Sequence, residues 1–181
     1  MKEIKRTCKW FDITEYEKEA EYLREMHMQG WKFLKFTIPS IYKFEKCEPE
    51  DVIYQLDYNK EGNEHKAEYL QMFSDCGWEY IGETVGYSYF RKPVKDMNGE
   101  EEIFSDDASK IEMMERVYKG RMIPLIVIFC CCICPQLIIQ ASGASPANTV
   151  LLLVFIVLFL VYIVIFYRFA KKYKELKQRY N

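Results

Sequence analysis

The chain has 181 residues, a formal net charge of −2 and a mean hydropathy of −0.23, with half of its residues apolar and 16% aromatic. The absence of a basic excess argues against nucleic-acid binding. A strongly apolar C-terminal third, balanced by a polar remainder, points to a bipartite membrane protein.

The N-terminus, Met1-Lys2-Glu3-Ile4-Lys5-Arg6, has no apolar run, so no signal peptide is expected and residues 1–95 are read as one cytosolic domain. Within it, Thr7 to Phe11 reads as a short strand. Tyr16 to Met28 places Tyr16, Ala20, Leu23 and Met26 or His27 at the 3- and 4-residue spacing of an amphipathic helix. Gly30 stops that helix, and Trp31 to Thr37 and Ile41 to Cys47 form a hairpin around Pro39-Ser40. The alternation of Val52, Tyr54, Leu56 and Tyr58 then predicts a strand, followed by a helix from about Glu64 to Ser74, a stop at Gly77, and strands Trp78 to Thr84 and Tyr87 to Lys92.

The second set of elements matches the first. At an offset of 47, Ala20-Glu21-Tyr22-Leu23 falls on Ala67-Glu68-Tyr69-Leu70 and Gly30-Trp31 on Gly77-Trp78. An internal repeat over about residues 7–47 and 52–92 is therefore expected, each copy a strand-helix-strand-strand unit. The fold class is α+β: an antiparallel-rich sheet of about six strands, two helices on one face, and a ferredoxin-like layout.

Residues 96–121 form an acidic linker. From 96 to 115 eight carboxylates face one Lys110, a net charge of −7. Ser105 or Asp106 can cap a juxtamembrane helix, Asp106 to Gly120, whose acidic first turn suits a helix N-terminus and whose Ile111, Met114 and Tyr118 share a face. Two uncharged stretches follow, 122–140 and 147–167, of 19 and 21 residues. They reach roughly 28 and 32 Å as helices, against a hydrocarbon core of about 30 Å. Lys119 and Arg121 precede the first, and six Lys or Arg against Glu175 in the 168–181 tail follow the second, whereas the loop 141–146 is uncharged. This bias predicts a two-helix hairpin with both termini cytoplasmic, and Pro124 and Pro135 are expected to bend its first helix.

Seven cysteines are scattered or, at Cys130, Cys131, Cys132 and Cys134, buried in a predicted span, where they serve as small apolar residues. No catalytic motif, metal-ligand spacing or cofactor fingerprint is present, and no metal, cofactor or nucleic acid is expected. Glu15, Glu17, Glu19 and Glu21 read as a solvated face, and His27 and His65 as surface or helix-end residues. Trp10, Trp31, Tyr42, Trp78 and Tyr89 are the aromatic candidates for recognition. Most rings in this domain belong to a core, but alternation would expose the others on any uncovered sheet face. Ser105, Asp106 and Lys110 are the candidates for coupling the domain to the membrane.

Lys9-Trp10-Phe11-Asp12, Met28-Gln29-Gly30-Trp31, Cys76-Gly77-Trp78-Glu79-Tyr80, Tyr89-Phe90-Arg91-Lys92 and Ile103-Phe104-Ser105-Asp106 with Ser109-Lys110-Ile111 resemble the bacterial family called domain of unknown function 2812, over about residues 5–118. The resemblance implies C-terminal membrane spans, a bacterial inner-membrane location and a setting beside PadR-type regulators, and it supplies no catalytic residue. The leading expectation is a non-enzymatic, membrane-anchored binding or regulatory module that meets a regulatory or membrane protein, a small ligand or a second copy of itself. An oligomeric component of transport or stress resistance, and an enzyme of unrecognised type, stay open as alternatives.

Overall fold

The computed structural model describes residues 3–12, 14–58, 66–97, 107–142 and 146–180. The chain divides into two compact units, residues 1–109 and 110–181.

The first unit runs β1 (Ile4–Cys8), α1 (Tyr16–Met28), β2 (Trp31–Thr37), β3 (Ile41–Lys46), β4 (Val52–Tyr58), α2 (Lys66–Asp75), β5 (Glu79–Thr84) and β6 (Tyr87–Pro93). These elements make two three-stranded sheets, ordered β1-β3-β2 and β4-β6-β5. In each, the middle strand is antiparallel to both neighbours, so the outer strands run the same way and the helix supplies their crossover. The correspondence at an offset of 47 extends to detail. Gly30 and Gly77 both leave their helices at positive φ, 81° and 80°, and the ladders are irregular between Phe33 and Lys35 and between Tyr80 and Gly82. A Cβ at Gly30 would lie 2.9 Å from the carbonyl oxygen of Cys47, so close approach as well as handedness demands glycine there.

Three features differ from the sequence reading. β1 lies three residues earlier than expected, because Asp12 terminates extended structure. Its carboxylate accepts from the Thr14 amide at 2.8 Å and the Thr14 hydroxyl at 2.6 Å, turning the chain into α1. The six strands form two sheets, with the edges β2 and β5 side by side and the Thr84 hydroxyl 3.5 Å from the carbonyl oxygen of Phe36. The two helices do not share a face. α1 packs against β2 and β4, on the side where Phe33, Tyr42 and Phe44 meet Tyr54 and Tyr89. α2 packs on the opposite face of the second sheet, where Phe73, Trp78 and Phe90 form a core with Ile53, Tyr69, Leu70 and Tyr80 around it.

In the second unit a helix extends from Ser109 to Ala141, 33 residues, and α6 (Pro146–Tyr180) follows. Both helices contain an apolar stretch long enough to cross a membrane, which points to membrane association. They run antiparallel: the Tyr173 hydroxyl lies 3.4 Å from Glu115, the Tyr118 ring 6.1 Å from Phe169, and Phe129 packs on Phe159, Tyr162 and Phe166. The first helix comprises α3 (Asp107–Val117), α4 (Ile123–Ile128) and α5 (Cys134–Ala141), separated by π turns at Tyr118–Met122 and Phe129–Ile133. Each π turn ends just before a proline, Pro124 or Pro135. A proline cannot donate an amide hydrogen and its ring crowds the carbonyl four residues back, and a wider turn accommodates both.

Candidate functional site

The polar groups of the first unit converge where α1 meets both sheets. Glu19 lies on the buried stripe of α1 with Tyr16, Leu23, Met26 and His27, and only 9% of it is exposed. A carboxylate in that position requires donors. Two are supplied: the hydroxyls of Tyr42 on β3 and Tyr89 on β6 both donate to its Oε1 at 2.8 Å. These tyrosines stand 47 residues apart, at equivalent places in the two sheets, so matching positions clamp one oxygen. Burial and the adjacent Glu19 carboxylate push both phenols far above the ordinary tyrosine range. They serve as fixed donors to that carboxylate.

A second buried group lies about two turns along the helix. His27 Nδ1 is 2.7 Å from the Tyr54 hydroxyl, which also accepts the Phe33 amide at 3.4 Å. Burial lowers the His27 pKa and raises that of Tyr54 to about 12, so near pH 7 a neutral imidazole and a neutral phenol share this hydrogen bond. Arg91 on β6, next to Tyr54 in register, forms a two-pronged pair with Glu79. Arg24 of α1 grips Asp51, just before β4, through two bonds of 2.6 and 2.7 Å. The Glu19, His27 and Arg24 contacts join α1 to strands of both sheets and so fix α1 between them; the Arg91–Glu79 pair ties β6 to β5.

Of the aromatic candidates, Tyr42, Tyr89 and Trp78 are buried, at 2, 4 and 5% exposure. Trp31 is half-buried, with the Lys5 and Lys46 ammonium groups 5.0 and 4.5 Å from its ring. Trp10 is 75% exposed. The structure therefore brings Tyr42 and Tyr89 together on Glu19 and leaves the three tryptophans apart in different surroundings. Ser105 and Asp106 lie outside the described residues, and Lys110 is half-buried on α3.

Sequence reasoning missed Glu19 and His27. Glu19 was expected on a solvated face and is instead buried, because its two tyrosine partners come from strands 23 and 70 residues away. The available signal was positional: 16, 19, 23 and 26 form a continuous helical stripe. His27 does stand at a helix end, as expected, but inside the molecule. Among the described residues no group of three or more His, Cys, Asp or Glu is arranged to hold a metal ion.

A family described as a protein of unknown function, DUF2812, matches residues 15–126. The match starts one residue before α1 and ends inside α4, so it includes both sheets' hairpins, the acidic linker and the entry to the first apolar helix. No curated protein and no solved structure matches the chain.

Proposed function

The chain belongs to the DUF2812 family, and from that premise we propose that it is a membrane-anchored module of a bacterial inner membrane whose cytosolic unit recognises a protein or small ligand and passes the event to its membrane helices. The observation that carries this reading is helical continuity. A single 33-residue helix runs from Ser109, in the last part of the acidic linker, into the first apolar segment. The family match crosses the same junction, so linker and span entry belong to the family's shared part.

The charge pattern supports two crossings with both termini cytoplasmic. Lys119 and Arg121 flank the first apolar segment, and Arg168, Lys171, Lys172, Lys174 and Lys177 follow the second, on the helix ends that the antiparallel packing brings together. The recurrence of bulge, glycine and clamp tyrosine at one offset supports a duplicated origin for the cytosolic unit. Its buried rings maintain the fold, and recognition falls to the more open first sheet, where Trp31 and Trp10 are within reach of a partner.

Capture from mild detergent with full-length protein tests the reading. Wild type retains a discrete protein or ligand, Trp31→Ala loses most of it, and the bound species changes alkylation of Cys134 in the first apolar helix. Deleting Glu112 leaves capture intact and abolishes that change. Equal, non-specific retention by wild type and Trp31→Ala contradicts recognition; capture with unchanged Cys134 reactivity contradicts coupling.

A further inference from the structure

Among the described residues no helix packs on the face of the first sheet opposite α1, and that face has a composition that the protein as a whole lacks. Along β1, β3 and β2 the register sets Arg6 opposite Lys43 and Lys43 opposite Lys35, three cations in one cross-strand row. Like charges directly opposite destabilise a sheet, so the row is costly to the isolated fold. None of the three has an ion pair among the described residues. The next row on this face is Ile4, Glu45 and Lys32, with Lys32 3.9 Å from Glu45. The row on the other side is Cys8, Ile41 and Thr37.

That outermost row adjoins an apolar rim. Ile38, in the β2–β3 turn, is 67% exposed, and Ile41 is also exposed. The Lys9 amide donates to the Ser40 carbonyl at 3.2 Å, which keeps the chain leaving β1 at the same end, where Trp10 is 75% exposed. An exposed Trp and Ile beside a band of cations is the chemistry of interfacial membrane binding: apolar side chains enter the headgroup boundary while Lys and Arg meet anionic lipid.

We infer that this face, Arg6, Lys35 and Lys43 with Trp10, Ile38 and Ile41 at its rim, docks the cytosolic unit on the anionic phospholipid surface of the membrane that holds the two apolar helices. The inference rests on the anchored reading above. Tethering favours the lipid as occupant. Only residues 98–106 separate Met97 from α3, and the ten Cα steps from Met97 to Asp107 extend at most about 36 Å. The face is thereby held at high effective concentration near the bilayer. Each cation near such a surface strengthens binding roughly five-fold, so three suffice for a reversible contact that salt weakens.

Cys8 reports on this contact, because it is an exposed free thiol in the outermost row, while Cys76, also exposed and free, follows α2 on the other repeat. Full-length protein is reconstituted into nanodiscs of phosphatidylcholine alone or with about one third phosphatidylglycerol, and the rate of alkylation by a charge-neutral maleimide is read at each thiol by peptide mass spectrometry. The expected result is a Cys8/Cys76 rate ratio at least five-fold lower with the anionic lipid. That protection is lost in 0.5 M salt and in the combined variant Arg6→Glu, Lys35→Glu, Lys43→Glu, and is reduced in Trp10→Ala. A ratio equal in the two lipids overturns the docking and leaves the anchor standing. Protection in phosphatidylcholine alone that ignores charge reversal also overturns it, and assigns the face to a protein or second copy. Failure of the protein to enter nanodiscs overturns the anchored reading and the docking together.

Discussion

The two sheets share an element order but differ in how they are covered. The second sheet is covered on both faces, by α1 on one and α2 on the other, and its middle strand β6 reads Tyr87-Ser88-Tyr89-Phe90, all four buried. Among the described residues the first sheet is covered on one face only, and β1 alternates exposed and half-buried residues throughout. One backbone pattern therefore supports a central slab in one sheet and an open surface in the other, and what distinguishes them is where the helices pack. α1 lies between the sheets, while α2, its counterpart, sits outside.

The comparison sharpens at positions 47 residues apart. The largest expected difference is between the tryptophans. Trp78 is buried in the core with Phe73 and Phe90, so Trp78→Ala should cost about 3–5 kcal/mol, whereas half-exposed Trp31→Ala should cost about 1 kcal/mol, as read by denaturant unfolding of the full chain in detergent. Equal losses would show that the two sheets are covered alike.

Next come Glu19 and its counterpart Lys66. Glu19→Ala strands two buried hydroxyls and should lower stability by about 3 kcal/mol. Lys66 makes an exposed pair with Glu83 at 2.8 Å, and Lys66→Ala should change stability by less than about 1 kcal/mol. Adding Tyr42→Phe and Tyr89→Phe to Glu19→Ala should recover part of the loss, since the hydroxyls then need no partner.

A smaller effect is expected at His27. Its folded pKa lies below the unfolded value, so the unfolded chain binds more protons over that interval. The stability it contributes is complete above about pH 6.5 and declines as pH falls through the interval to the folded pKa. In His27→Gln the slope between pH 7 and 5 should flatten; an unchanged slope would place the titration elsewhere.

Local pattern made much of this legible. The spacing of Tyr16, Leu23 and Met26 defined α1, the alternation of Val52 to Tyr58 defined β4, and Gly30 and Gly77 marked helix ends, because those signals depend on near neighbours. The start of β1 was misplaced because charged Ile4-Lys5-Arg6 forms a strand only by pairing with β3, and the aromatic residues after it drew the reading forward. The split into two sheets and the opposite placement of α2 depend on contacts between the two strand-helix-strand-strand units, which no periodicity within one unit encodes. The Glu19 clamp was hidden for the same reason. The cationic row was hidden too, since Arg6, Lys35 and Lys43 become neighbours only once the register is known.

Beneath these contrasts is the claim that lipid surrounds the two long apolar helices, where Ile138, Val150, Leu153 and Leu160 are among many exposed apolar side chains. Alkaline carbonate washing of membranes from cells expressing the full chain tests it most directly. The account predicts that the protein stays in the membrane pellet and leaves only with detergent; release into the wash as a monodisperse, detergent-free species would contradict it.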